Sequence, residues 1–172
     1  MIPQIKKILY ATDLSENSAY VFRYAINFAK NYDAGIIILH ILEPLSATTK
    51  ALAYSYFTEE QEKKRSEEKI ANVKERIRKD LKTFCEKELK NDPDSADRVE
   101  SIEVCEGFPA EMILTKVDEL NCDAIVMGTH GKGFIRNTFL GSTSKRVLRR
   151  TRKAVFIIPL PKEEADIGLG DV

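Results

Sequence analysis

The chain has little that would favour a metal, a redox centre or a highly charged partner. Its three cysteines, Cys85, Cys105 and Cys122, are odd in number and contain no C-x-x-C pair, so we interpret them as reduced core residues within helix or strand patterns. Basic and acidic side chains both count 27, and the formal net charge is therefore zero. Because no overall field attracts a polyanion, we expect neither nucleic acid nor a membrane as a partner.

Long apolar runs are also missing. The longest, residues 35–42, contains His40 and is far shorter than the roughly 20 residues that a membrane-spanning helix needs. Lys6 and Lys7 stand where a signal peptide would have its apolar region. From this we predict a cytoplasmic protein. His40 lies within an apolar run, which favours a hydrogen-bonded core residue over a ligand-binding one.

Short apolar runs alternate with helical patterns along the chain. Five runs rich in β-branched residues predict buried strands, at 8–10, 35–41, 99–105, 124–127 and 154–158. Four segments carry apolar residues at helical spacing, at 15–31, 58–84, 109–120 and 142–150. This alternation predicts an α/β protein with three layers, in which helices cover both faces of one open parallel sheet. We assign residues 1–161 to one domain and interpret residues 162–172, which lack periodicity, as a flexible tail.

The second predicted helix is long and begins at a capping box, Thr58-x-x-Gln61. Its start, residues 59–69, is almost wholly charged, which is typical of a solvated extension, with a binding surface as the alternative. Before it, residues 43–57 lose the pattern and predict a loop or a lid. The buried stripe is predicted to contain Ile70, Val73, Ile77, Leu81 and Phe84.

The most informative stretch is residues 123–144. An apolar strand pattern is broken by Gly128, Gly131 and Gly133, and a new helical pattern opens at Gly141 and Ser142. Glycines let a ligand approach the backbone, and a helix start offers unpaired N–H groups together with the positive end of its dipole. These features predict an anion site, in particular one for phosphates. The alternative is an ordinary strand-to-helix connection with Ser142 as its cap.

The spacing of these glycines identifies a family. The stretch is neither a P-loop, since G-x-x-x-x-G-K-[ST] is absent, nor a dinucleotide fingerprint, since Arg136 stands where the last glycine is needed. Instead Gly128-x-x-Gly131, nine residues, then Gly141-Ser142 resembles the nucleotide-binding signature of the universal stress protein family, in its ATP-binding branch. Residues 8–15, 39–41, 107–110 and 155–159 resemble the same family and extend the similarity over nearly the whole chain.

This resemblance implies an adenine-nucleotide α-hydrolase-like fold with strand order 3-2-1-4-5. The order reverses between the first and fourth strands, and ligands of open α/β sheets bind at such a point, beyond the carboxyl ends of the strands. Here those ends are Asp13 and Gly128. The resemblance further implies ATP as the ligand, with Mg²⁺ held only through the phosphates.

Carried over by position, the family's site consists of residues from three parts of the chain. Ala11 and Thr12, which precede Asp13, belong to the implied site, and Asp13 would accept hydrogen bonds from the ribose hydroxyls. The main chain of Ile41 would contact the adenine edge. The alternative for Asp13 is a carboxylate that satisfies the N–H groups of a helix start. Around the ribose and the phosphate chain the resemblance places Met127, Gly128, Gly131, Gly141, Ser142 and Thr143.

Two further side chains lie inside the glycine loop. His130 and Lys132 would suit a phosphate as a neutral donor and a cation, with exposed loop residues of no consequence as the alternative. The sequence also departs from the family: Ala11 replaces a frequent proline, and residues 151–153 replace apolar and proline residues before the last strand. Six cations, Lys145, Arg146, Arg149, Arg150, Arg152 and Lys153, crowd the end of the last helix, where they complement its dipole.

Enzymes need more than a phosphate cradle, and the sequence shows no nucleophile–base pair. We therefore interpret the chain as a nucleotide-dependent regulatory or stress-response protein that binds ATP or AMP and hydrolyses ATP slowly at most. An enzyme of the adenine-nucleotide-binding α/β type that turns over ATP is the alternative. A receiver domain is disfavoured because Asp13 stands alone after the first strand, where paired carboxylates are needed.

The last apolar strand suggests an assembly. Val155 to Ile158 would occupy a sheet edge without any charge, and such edges are normally protected. Pairing with the same strand of a second copy would give a closed homodimer, and the family resemblance implies the same contact. The alternative is that the tail folds back over the edge.

Overall fold

A computed structural model describes residues 1–54, 58–130 and 140–159, with every side chain in these ranges except those of residues 53, 54 and 59. The predictions for Gly131, Lys132 and the tail at 162–172 lie outside the described residues.

Five parallel strands form one sheet, as the alternation of patterns predicts. The strands are β1 (Lys7–Thr12), β2 (Gly35–Leu42), β3 (Val99–Glu106), β4 (Ala124–Gly128) and β5 (Ala154–Ile158). Their order is β3-β2-β1-β4-β5, with every neighbouring pair parallel. This confirms the predicted order 3-2-1-4-5 and places β5 at an edge.

Six helices are present in the described residues, where the sequence predicts four. They are α1 (Ser18–Tyr32), α2 (Ala47–Tyr54), α3 (Glu59–Glu88), α4 (Pro93–Ala96), α5 (Pro109–Glu119) and α6 (Ser142–Arg150). The prediction of a loop or lid at 43–57 misses α2, because the described side chains of that helix are all exposed and leave no apolar stripe. The single turn α4 has proline at its start and overlaps residues 91–94, where the sequence Asn-Asp-Pro-Asp predicts a turn.

The sheet separates two apolar layers because successive strand side chains point to opposite faces. On one face α1 and α3 cover Ile8, Tyr10, Ile36 and Ile38. On the other, α5 and α6 cover Leu9, Ile37, Leu39, Ile125 and Met127. Strands covered on both sides read as continuous apolar runs, which is why β2 and β4 were recognisable in the sequence.

Some predicted core positions differ in the structure. Val73 is 45% exposed, whereas Leu81 of the same predicted stripe is buried. The Val73 prediction is wrong because this part of α3 lies beyond the end of the sheet. Lys74 pairs at 2.7 Å with Glu106, which is the last residue of β3. Residues 59–73, which precede Lys74 in the helix, therefore extend past the sheet. Cys122 is buried but lies just before β4, outside the strand pattern predicted for it.

Candidate functional site

A cleft of about 450 Å³ opens at the carboxyl edge of the sheet. It lies where the chain leaves β1 toward α1 on one face and leaves β4 toward α6 on the other, so the two connections diverge and a crevice remains between them. Its volume falls within the roughly 300 to 1,000 Å³ typical of small-molecule sites. The cleft brings together every predicted site residue that the structure describes: Ala11, Thr12, Asp13, Ile41, Met127, Gly128, His130, Gly141, Ser142 and Thr143.

Asp13 occupies the bend between β1 and α1. One of its oxygens, Oδ1, accepts the N–H of Ser15 at 3.0 Å. The other, Oδ2, is buried and has no hydrogen-bond partner among the described residues. A buried acceptor without a donor costs free energy, about 1 to 3 kcal/mol for a polar group and more for a charged one. Asp13 therefore offers the cleft an acceptor that a ligand hydroxyl would satisfy.

The backbone at this bend is unusual. Leu14 has φ of 60°, a left-handed conformation that side-chain-bearing residues seldom adopt. Its N–H donates to Oγ1 of Thr12 at 3.2 Å, and that Oγ1 also lies 3.0 Å from Oγ of Ser18. The hydroxyl of Tyr10 donates to the carbonyl of Ser18 at 2.8 Å. These bonds fix the bend against the start of α1.

Tyr10 lies at the base of this network. Burial raises the pKa of its phenol well above the ordinary value of 10, and the hydrogen bonds offset only part of that effect. The hydroxyl therefore remains a neutral donor throughout the physiological range.

The opposite wall of the cleft joins β4 to α6. The N–H of Gly141 donates to the carbonyl of Thr129 at 2.8 Å. Oγ of Ser144, on a residue that is 3% exposed, lies 3.0 Å from the carbonyl of Gly128 and 3.2 Å from that of Thr129. A Cβ at Gly141 would stand 3.2 Å from the Thr129 carbonyl oxygen, which is closer than an ordinary contact. Gly141 therefore permits the close approach of the helix start to the end of β4.

The start of α6 faces the cleft. Gly141 is its N-cap residue, and no side chain caps the helix among the described residues. The alternative in which Ser142 is the cap is wrong, because Ser142 is already the first helical residue. The first-turn N–H groups and the positive end of the dipole can therefore act on an anion in the cleft. His130 is half-buried beside them, with Nδ1 at 3.1 Å from Oγ1 of Thr129.

The cleft also contains residues that the sequence did not single out for the site. They are His40, Leu42, Pro109, Ile113 and Ser144, and Glu43 lines the cleft as well. The sequence marked Pro109 only as a helix start within the family resemblance at 107–110, and Ile113 only as part of the apolar face of that helix. Because α5 follows β3 and packs on the same face of the sheet as α6, the topology alone brings them to the cleft.

Elsewhere, several ion pairs link separate elements of the described chain. A smaller hollow of about 250 Å³ between α1 and the end of α3 is bridged by Arg23 to Glu88 at 2.8 Å and by Lys30 to Asp92 at 2.7 Å. In the cationic cluster of α6, Arg150 pairs with Glu111 of α5. No group of three or more potential metal ligands occurs within residues 1–54, 58–130 and 140–159. Over the same ranges, no helix combines the length and apolar character needed to cross a bilayer.

Comparison with known proteins agrees with this architecture. A family model described as the universal stress protein family matches residues 4–159. The chain is 27% identical to universal stress protein MJ0577 of Methanocaldococcus jannaschii, over 89% of this chain and 94% of that one. The solved structure of MJ0577 superposes with a TM-score of 0.65 at 25% identity, covering 93% and 99% of the two chains.

A second solved structure matches the same fold. It is a universal stress protein in complex with cAMP, with a TM-score of 0.51 and 21% identity, covering 91% of this chain and 98% of that one. The sheet order, the cleft between β1 and β4 and the match over residues 4–159 agree with one another. From its first strand to its last, this chain belongs to the universal stress protein family.

Proposed function

We propose that this chain binds ATP in the cleft and acts as a nucleotide-dependent regulatory protein through its bound state. The observation that carries the proposal is the pairing of two complementary groups across one cleft. Within the described part of the chain, Asp13 Oδ2 is a buried acceptor without a donor, and the start of α6 is a set of donors without a side-chain cap. A nucleotide has hydroxyl donors on its ribose and anionic acceptors on its phosphates, in that spatial order.

The remaining lining suits the other parts of the ligand. Ile41, Pro109 and Ile113 provide an apolar wall for a base. Gly141, Ser142 and Thr143 provide backbone and hydroxyl donors for the phosphates. The Mg²⁺ that usually accompanies ATP would be bound by the phosphate oxygens. When bound there, the metal would neutralise part of the phosphate charge.

Hydrolysis is expected to be slow. General-base catalysis needs a basic group within hydrogen-bond reach of the attacking water. The carboxylates that line the described part of the cleft are Asp13 and Glu43. Asp13 already accepts a backbone N–H at one oxygen and would bind the ribose with the other. We expect phosphate release with Mg²⁺ present to be far below about 10 per second, the median turnover of enzymes. Turnover at that rate, abolished by Asp13→Asn, would favour the alternative of an ATP-consuming enzyme.

The direct test is to identify the ligand. Mass spectrometry of the denatured purified protein would reveal carried-over ATP or AMP. Calorimetric titration of the stripped protein with ATP, AMP and cAMP would then rank the three, because one structural neighbour was solved with cAMP. We expect ATP to bind with the highest affinity, since its phosphate chain is the longest of the three and offers the most anionic oxygens to the start of α6. Absence of ATP binding to the stripped, folded protein would refute the proposal.

A further inference from the structure

We propose that His40 is a positioning residue for the ligand site. Through its hydrogen bond to the Thr12 carbonyl, His40 holds the bend at Asp13 so that Oδ2 is presented to the cleft. The inference rests on the proposed function of the cleft, and it adds a residue that the family's binding signature does not contain.

The geometry ties His40 to Thr12 directly. The two residues are partners in the parallel register of β1 and β2. The imidazole belongs to a residue that is 6% exposed, and its Nδ1 lies 2.9 Å from the Thr12 carbonyl oxygen. A carbonyl oxygen only accepts, so the proton of this bond is on Nδ1. The side chain therefore acts as a fixed donor at the point where β1 ends.

Thr12 anchors the bend at Asp13 through two hydrogen bonds. Its Oγ1 accepts the N–H of Leu14, and its carbonyl accepts from His40. The peptide that follows this carbonyl leads to Asp13, so its plane determines where the Asp13 side chain begins. If the His40 bond is removed, that peptide is free to rotate toward a conformation that relieves the left-handed Leu14. Asp13 Oδ2 would then lose its fixed position in the cleft.

This mechanism predicts an effect on binding that passes through Asp13. Leucine at position 40 keeps a similar volume without the donor, whereas the amide nitrogen of asparagine can occupy nearly the place of Nδ1. We expect His40→Leu to weaken ATP binding about tenfold, which corresponds to one hydrogen bond. We expect His40→Asn to remain within about threefold of the parent because the donor is retained.

The deciding experiment is a double-mutant cycle by calorimetric titration with ATP. It compares the parent, His40→Leu, Asp13→Asn and the double variant. If His40 acts through Asp13, the roughly tenfold loss shrinks to about twofold or less when Asp13 is already asparagine. An equal loss in both backgrounds, or an Asn variant as weak as the Leu variant, would overturn the proposal.

A second readout needs no ligand. Hydrogen exchange at the amides of Leu14 and Ser15 reports the two bonds that define the bend. We expect faster exchange there in His40→Leu, with no change in His40→Asn and none at Ile37 in the centre of β2. Unchanged exchange at Leu14 and Ser15 would overturn the positioning role. If the leucine variant does not fold, His40→Gln replaces it, because its longer side chain places the amide away from Nδ1.

Different results would refute the proposed ATP binding and the proposed positioning role of His40. If the parent does not bind ATP, the proposed function fails, while the exchange experiment still decides whether His40 holds the bend. If the parent binds ATP and the cycle shows no coupling, the function stands and the positioning role is wrong.

Discussion

At the scale of single residues, Gly141 shows how closely the cleft wall is packed. The N–H of Gly141 donates to the carbonyl of Thr129. The same carbonyl oxygen limits the side chain that could replace a Cα hydrogen of Gly141. The backbone of Gly141 has φ of −67°, so the constraint is the space available and not a left-handed conformation. A side chain here must move the start of α6 away from the end of β4.

Gly141→Val is therefore expected to weaken ATP binding by about tenfold or more, since displaced donors lose their hydrogen bonds to the ligand. Gly141→Ala, with one carbon in tight contact, should have a smaller effect. Calorimetric titration measures both, and circular dichroism checks that the variants fold. Parental affinity in folded Gly141→Val would show that the ligand does not contact this wall.

The cysteines give a second prediction at the residue scale. Burial raises the pKa of Cys85 and of Cys122 to about 11, and it also raises that of half-buried Cys105. Only the thiolate reacts with alkylating agents. At pH 8 we expect alkylation, followed by mass spectrometry, to modify Cys105 first, because its side chain is the most accessible of the three. Faster labelling of Cys85 or Cys122 would contradict the described packing.

The same shifts predict how stability depends on pH. A thiol with a raised pKa stays neutral in the folded protein while the unfolded chain ionises, so folding is favoured less as pH rises. The loss should begin near the unfolded value of 9 and continue to about 11 for Cys85 and Cys122. Urea unfolding at pH 8 and pH 10.5 measures this loss in the free energy of unfolding, and Cys85→Ala should reduce its pH dependence. An equal dependence in parent and variant would assign it to other groups.

At the scale of elements, α3 combines two environments. Its second half packs on the sheet, whereas residues 59–73 extend beyond Glu106 at the end of β3. None of the described side chains of the extension is fully buried, so local interactions contribute much of its stability. Its cap is complete: the Thr58 side chain accepts the Gln61 N–H at 3.4 Å, and the Gln61 side chain accepts the Thr58 N–H at 3.5 Å.

Thr58→Ala should cost about 1 kcal/mol locally, because it removes this cap. Hydrogen exchange should show faster exchange at Gln61 and the following turn, with Leu81 unaffected. The matched control is Thr83→Ala at an exposed position within α3, where alanine is the better helix former and no cap is lost. Equal exchange in Thr58→Ala and the parent would indicate that the cap does not stabilise the extension.

At the scale of the whole molecule, β5 is one of the two edge strands of the sheet. Its Phe156 stacks on Phe28 of α1 with ring centroids 4.3 Å apart, and Ile157 packs on the opposite apolar layer. The described part of the chain pairs β5 on one side only, with β4. We propose that a second copy pairs with the other side, forming a homodimer through Val155 to Ile158.

Light scattering coupled to size exclusion should therefore give the mass of two chains at micromolar concentration. Ile157→Asp should dissociate the dimer, because a charge at this edge disfavours strand pairing. Since Ile157 also contacts the core, an unfolding curve must confirm that the variant folds. A parent protein that is monomeric at this concentration would refute the dimer.

The sequence by itself determined the element types, the sheet and the family. Strands buried on both faces read as apolar runs, and the helices that cover them have apolar stripes, so β1 to β5, α1, α3, α5 and α6 were predictable. Where burial was absent the signal was absent too, which explains why α2 was missed. Val73 shows the reverse: it continues the apolar spacing of α3 although it is exposed where that helix extends beyond the sheet. Glycine spacing marked Gly128 and Gly141, and at Gly141 the close approach of the Thr129 carbonyl favours a residue without a Cβ.

Only the tertiary structure decided how the cleft is completed. His40 in β2 reaches Thr12 in β1, Ser144 reaches back to the end of β4, and α5 brings Pro109 and Ile113 to the same crevice. These contacts join positions far apart in sequence, and the residues involved have equally good reasons to be core or helix residues. The Oδ2 of Asp13, which has no hydrogen-bond partner in the described ranges, is likewise a property of the folded bend. Water solvates this carboxylate in the unfolded chain, and the oxygen loses that solvation only when the folded structure buries it.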